Sequence, residues 1–274
     1  MLNDHMISPL AYIHPSARLA PGVTVEPFTT IAADVEIGEG SWIGPNVTIM
    51  DGARIGQHCQ IFPGAVVSAV PQDLKFAGEN TTAIIGDYTV VRECVTVNRG
   101  TVDRGETRVG HHCLLMAYVH VAHDCIIGNH CILANTVQVA GHVEIGDYAI
   151  VGGSSAVHQF VKIGAHAMVS GGSLVRKDVP PFVKAGREPL AYAGAKSVGL
   201  RRRGFSEEVI NMVQQLYRTL FLGGLNTQDA LAQIEQEVPP SPERDAAVHF
   251  VRAATRGIIK GPKRGRPSDG SEAE

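Results

Sequence analysis

The sequence predicts a mainly β protein, a parallel β-helix of hexapeptide repeats followed by a small C-terminal α-helical domain. Three observations carry that expectation. An aliphatic residue recurs at every sixth position, the phase of this repeat survives two interruptions, and beyond Val175 the period becomes helical. The repeat runs from Ile13 through Leu19 and Val25 to Val67, returns at Ile85, Val91 and Val97, and runs again from Val109 to Val175, 25 hexads in one phase. No helix or flat sheet has a period of six; a chain that turns a corner every six residues does. Three sides make an 18-residue coil, so residue i lies over i+18 and neighbouring coils pair as parallel strands about 4.8 Å apart. The aliphatic fills the inside of each flat side, a small residue four positions on fits near the bend, and the glycine that often follows the aliphatic (Gly38, Gly86, Gly128, Gly164) is expected to relieve the turn. The period does not give the handedness.

The elements follow in order. Residues 1–185 form the coil, with polar, glycine-containing loops expected at 70–83 and 98–108, where the hexads break. Such loops on a rigid scaffold are where binding residues tend to sit. Residues 186–200 read as an irregular connection and 201–260 as the helical domain. There Ser206 caps a helix ending at Gly223-Gly224, Thr227 starts a second, and Ser241-Pro242 opens a third that runs toward Gly257. The polar tail 261–274 is expected to be disordered.

Composition narrows the function. Hydrophobic residues are 44% and charged residues 19%, which excludes a disordered chain, and no apolar run approaches the roughly 18 residues of a membrane span. The first ten residues show no secretory signal, so a cytoplasmic location is expected. The net charge of −3 argues against general nucleic-acid binding. It is unevenly spread, −6 over residues 1–179 and +4 over 201–266, a hint of an anionic partner for the helical end. Of the five cysteines, Cys59, Cys113, Cys125 and Cys131 occupy the small inner slot, and no disulfide framework or zinc spacing is implied. Five of the twelve histidines (His58, His112, His130, His142, His166) fall three after a hexad aliphatic, an outward slot that reads mostly as surface. A denser group is His120, His123 and Asp124, with His142 and His158 further on. One coil along from His123 lies Gly141. An imidazole beside a glycine N–H is the minimum kit for acyl transfer, one group taking a proton and the other binding an oxyanion. A zinc site built from the same histidines competes with that reading.

Several stretches carry a family likeness: residues 72–79 (QDLKFAGE), 98–101 (NRGT), 116–125 (MAYVHVAHDC), 131–135 (CILAN), 139–142 (VAGH), 156–160 (AVHQF), 163–166 (IGAH), 178–181 (DVPP) and 199–205 (GLRRRGF). Together, over roughly residues 11–260, the chain resembles the acyl-[acyl-carrier-protein]–UDP-N-acetylglucosamine O-acyltransferases, which catalyse the first step of lipid A biosynthesis. The resemblance implies a left-handed β-helix, a homotrimer with active sites between subunits, acyl-carrier protein and UDP-N-acetylglucosamine as substrates, and neither cofactor nor metal. It implies His123 as general base, Asp124 as the carboxylate orienting it and the Gly141 N–H as oxyanion donor. It further implies substrate binding by Gln72, Asp73, Lys75, His120, His142 and His158, contacts from Arg202 and Arg203 to the anionic nucleotide or carrier protein, and Gly171 as the acyl-chain ruler, its small size leaving room for a longer 3-hydroxyacyl chain. One stretch departs from the family: in 186–200 (GREPLAYAGAKSVGL), Lys196 stands where an asparagine touching the sugar is expected. That admits a 3-amino sugar nucleotide as an alternative acceptor. Other readings are a different hexapeptide acyltransferase, a zinc enzyme on the same coil, and a solenoid without chemistry.

Overall fold

In the computed structural model, residues 6–262 are described. The hexads form three parallel sheets of eleven, nine and eight strands, the first closed by one antiparallel strand. Pairing follows the 18-residue coil: Ile127 lies beside Ile145 and Ile145 beside Ile163. The loops account for the exceptions. Ile61 pairs with Val91 and Val91 with Leu115, offsets of 30 and 24. The insertions therefore add two hexads and one hexad, which is why the phase survives them. Both loops are shorter than the sequence suggested. Strands Thr82–Ile85 and Glu106–Val109 reach back into 70–83 and 98–108, because they pair with each other over four residues and hold their polar side chains in register.

The inner column is solid aliphatic. Ile31, Ile43, Ile61, Leu115 and Leu133 are fully buried, and an isoleucine so placed contributes about 1.5–3 kcal/mol. Cys59, Cys113, Cys125 and Cys131 lie in the same core, where burial pushes the thiols of Cys59 and Cys125 up to about 11 and about 12. The corner glycines have a different role from the one expected. The left-handed backbone falls on the residue two further on, His58, Tyr88, His112, His130 and Tyr148 among them. The glycines instead permit close approach: a Cβ on Gly86 would lie 2.6 Å from the Gly110 carbonyl carbon in the next coil.

After the last coil, the segment 186–200 is not irregular. Ala191–Ala195 pairs antiparallel with Val183–Gly186 and closes one sheet, and helix α1 (Ser197–Arg202) begins before residue 201. Neither element has a hexad or an amphipathic run to announce it; sheet pairing and packing make them. Helix α2 (Glu207–Leu222) is capped by Ser206 and α3 (Thr227–Glu237) by Asn226. Helix α4 (Pro242–Arg252) is capped by Ser241 and ends five residues before Gly257, because the chain then returns to the sheets, Ile258 bridging Asp178 and Lys260 bridging Ala191. Tyr217 of α2, fully buried, donates a 2.7 Å hydrogen bond to the Pro181 carbonyl and fastens the helices to the coil. No helix among the described residues is long and apolar enough to cross a membrane. Residues 263–274 of the expected tail lie outside the described residues.

Candidate active site

The corner that follows the nine-stranded sheet carries the chemistry. His120 ends its outward strand position at His120–Val121, and the chain then turns through Ala122, His123 and Asp124. Asp124 has φ +59°, the left-handed corner conformation that Asp adopts more readily than most residues. Its carboxylate is fully buried and His123 is 7% exposed. His123 Nδ1 lies 2.7 Å from Asp124 Oδ2. An ionised carboxylate only accepts, so Nδ1 is the donor here and Nε2 is the nitrogen that carries the lone pair in the neutral ring. Burial works against the Asp124 charge, but hydrogen bonds from His123 and Thr101 outweigh it and hold the carboxyl below its ordinary value.

One coil along, Gly141 lies against the imidazole. A Cβ there would sit 2.7 Å from His123 Cε1 and 2.8 Å from Nε2, so only glycine lets the ring lie on the backbone. The flanking amides of Ala140 and His142 donate to Val157 and His123 carbonyls in the coil's ladder; among the described residues the Gly141 N–H makes no such bond. A cleft of about 750 Å³ opens here, lined by Gln72, Asp73, Leu74 and Lys75 from the first loop and by His120, His123, Gln138, Gly141, Ala156 and Gln159 from the coil. His120 Nδ1 is 2.7 Å from the Thr96 hydroxyl, and burial, with His123 nearby, lowers its pKa.

The structure thus brings Gln72, Asp73, Lys75, His120, His123, Asp124 and Gly141 together. His142 is behind the cleft, its Nε2 3.7 Å from Asp124 and its Nδ1 3.2 Å from Asp103. His158 is exposed, one coil beyond Ala140, and it is Gln159 that lines the cleft. Gly171 lies at the opposite corner of the same face, packed on Gly153. Arg202 is exposed on α1. Arg203 is engaged elsewhere: it donates 2.9 Å to the Tyr148 carbonyl, approaches His166 Nδ1 at 3.2 Å and lies over the Tyr148 ring at 4.6 Å. Lys196 is buried with no partner for its Nζ among the described residues, and burial, then Arg203, bring its pKa down to about 8. Sequence reasoning missed Thr101, Asp103 and Gln159; the first two lie in an interruption, where coil arithmetic has no register to apply.

His123, Asp124 and His142 are also the one cluster among the described residues with metal-ligand spacing. Tetrahedral zinc would hold two nitrogen or oxygen ligands about 3.4 Å apart. The 2.7 Å contact of His123 with Asp124 is a hydrogen bond instead, and the Asp124 oxygens already accept from Thr101.

Comparison with known proteins agrees with this geometry. Residues 178–259 match the family described as UDP N-acetylglucosamine O-acyltransferase, domain 2; residues 106–141 match the bacterial transferase hexapeptide repeat and 7–104 the GMPPB C-terminal domain. An acyl-[acyl-carrier-protein]–UDP-N-acetylglucosamine O-acyltransferase from Trichlorobacter lovleyi is 53% identical over 255 residues, 92% of this chain and 98% of its own length. The chain belongs to the acyl-[acyl-carrier-protein]–UDP-N-acetylglucosamine O-acyltransferase family. A member from Chlorobium phaeobacteroides is 59% identical over 194 residues, 70% of this chain and 74% of its own. The solved structure of a UDP-N-acetylglucosamine acyltransferase from Bacteroides fragilis superposes with a TM-score of 0.92 at 51% identity, covering 93% of this chain and all of that one. The fold is thus the family's left-handed parallel β-helix with a C-terminal helical domain, and the chain is an acyltransferase. The hexapeptide match contains His120, His123, Asp124 and Gly141, and the domain 2 match contains Lys196, Arg202 and Arg203.

Proposed function

We propose that His123 is the general base in transfer of a 3-hydroxyacyl chain from acyl-carrier protein to the 3-hydroxyl of UDP-N-acetylglucosamine, the first step of lipid A biosynthesis. The observation that supports it is the placing of one imidazole: Nδ1 is committed to buried Asp124, and Nε2 lies beside Gly141 at the cleft. Nε2 takes the sugar hydroxyl's proton as the oxygen attacks the thioester carbonyl. The oxyanion forms against the Gly141 N–H. Collapse expels the carrier's thiolate, which recovers the proton from the imidazolium. Removing such a base costs about 10²–10⁴-fold.

Gln72, Asp73, Lys75 and His120 bind the sugar nucleotide from the cleft wall, with His142 and His158 around it. The acyl chain runs toward Gly171. Arg202 and Arg203 serve the anionic nucleotide or carrier, Arg203 after leaving its place on Tyr148. The reaction requires no metal or cofactor beyond the donor's phosphopantetheine thioester, and it takes place in the cytoplasm on a homotrimer. Lys196, a buried ammonium where an asparagine is expected, favours one second reading, a 3-amino sugar nucleotide as acceptor. The test is an acyl-transfer assay offering both sugars with 3-hydroxyacyl-carrier donors of several lengths. Transfer to UDP-N-acetylglucosamine that falls at least a hundredfold in His123→Ala supports the reading. Transfer only to the amino analogue selects the second, and wild-type rates in His123→Ala overturn the mechanism.

A further inference from the structure

Asp124 does not draw its setting from the coil alone. The second loop, residues 99–105, folds over the corner and supplies most of the donors around it. Thr101 gives its N–H to Oδ1 at 2.9 Å and its hydroxyl to Oδ2 at 2.7 Å. The Arg104 N–H reaches Oδ1 at 3.3 Å. Oδ2 is the oxygen that also accepts from His123, so the threonine hydroxyl and the imidazole share one acceptor. Thr101 is 6% exposed. Its own place is fixed: its carbonyl accepts from Gly105 N–H at 2.7 Å, and its hydroxyl oxygen accepts from Asp103 N–H at 3.3 Å. The loop is pinned outside by Asp103 on His142 and by Arg104 on Glu144, itself paired with Lys162.

We infer that Thr101 is a positioning residue for the acyl-transfer base: its hydroxyl and amide fix the Asp124 carboxylate in one orientation and share the oxygen that holds His123, so that loop 99–105 sets both the aim and the basicity of the imidazole. The inference rests on His123 being the base. Other titratable groups face the pair from every side: His120 from its strand, His142 and Asp103 behind, Arg104 from the loop, Cys125 within the core and Lys75 across the cleft. Thr101→Val changes none of their charges. It removes one donor from Oδ2, leaving more of the carboxylate's charge to the protonated imidazole.

The expected result in Thr101→Val is a kcat lower by about tenfold, the effect of losing a hydrogen bond to a charged group. KM for the sugar nucleotide should stay within about twofold, and the acidic limb of the kcat/KM profile should move to higher pH by about half a unit or more. Thr101→Ser keeps the hydroxyl and should restore both readings. Thr101→Ala lacks the hydroxyl without the valine methyl, and gives the same measurement should the valine variant fold poorly. An unchanged pH profile with unchanged kcat in the valine and alanine variants overturns the inference, as does a serine variant as impaired as valine. His123→Ala run beside them separates the two failures: activity there sinks the base assignment, whereas its loss with a wild-type profile in Thr101→Val sinks only the role of the loop.

Discussion

One corner of the coil stacks aromatic rings into a ladder. His58, Tyr88, His112, His130, Tyr148, His166 and Phe182 follow one another with centroids 4.6–5.5 Å apart, the spacing that strand pairing imposes on every rung. One ring before its end, His166 accepts from Arg203, so its ring is held neutral. Burial, then Arg203 and Lys196, push its pKa from 6.5 down to about 4. The unfolded chain thus binds a proton in a window, about pH 6.5 to about 4, where the folded chain does not. Stability is present above that window and falls with pH inside it, by up to about 1.4 kcal/mol per unit. His166→Phe, the residue found at Phe182 in the next ring, removes the proton acceptor and keeps the stack. Its melting temperature should fall less than that of the parent between pH 6.5 and 4.5; parallel curves would show that His166 does not titrate this way. The sequence placed these histidines outside the coil correctly. That they stack was legible in the 18-residue spacing of His112, His130, Tyr148 and His166; that Arg203 packs on the ladder at Tyr148 and His166 was not, since contacts between helix and coil leave no period.

The loops act as parts of one device. Asn98 and Arg99, at the root of the second loop, hold the first: Arg99 N–H donates to the Ala69 carbonyl, Asn98 Nδ2 to Val70, and the Arg99 guanidinium lies 5.4 Å over the Phe76 ring. Phe76 follows Lys75 directly, so this contact sets where Gln72, Asp73 and Lys75 stand over the cleft. Arg99→Ala should raise KM for the sugar nucleotide several-fold with kcat within about twofold, and should speed proteolysis within 70–81. A kcat loss without a change in KM would place Arg99 on the chemistry instead. The hexad breaks marked both loops, and His123 with Gly141 followed from adding one coil. The contacts between the loops were not legible, because each insertion leaves the register and its path depends on side chains such as Phe76 and Thr101. The antiparallel strand Ala191–Ala195 was hidden for a different reason: it folds back on the neighbouring strand Val183–Gly186, and its short alanine-rich run carries neither the hexad period nor an alternation of polar and apolar residues.

At the scale of the molecule, the cleft is lined by loop and coil residues alone, none from the helical domain. Arg202 is exposed on α1 beside Arg203, which sits on the corner between the eight- and eleven-stranded sheets at Tyr148 and His166, while His123 lies on a different corner, the one after the nine-stranded sheet. If Arg202 binds the substrate at the cleft, it reaches the cleft of a neighbouring copy, as the proposed trimer requires. Two inactive variants should then repair each other. In mixed trimers of His123→Ala with Arg202→Ala, an interface pairing the intact histidine of one chain with the intact arginine of the other restores a complete site, about a quarter of the interfaces under random assortment. Refolding the two variants together should therefore recover roughly that share of parental activity, while each refolded alone stays low. Sedimentation of the mixture as a trimer is the control that assembly has occurred. A trimer with no recovered activity would place Arg202 and His123 in the same chain's site. A monomer with full wild-type activity would remove the shared-site arrangement altogether.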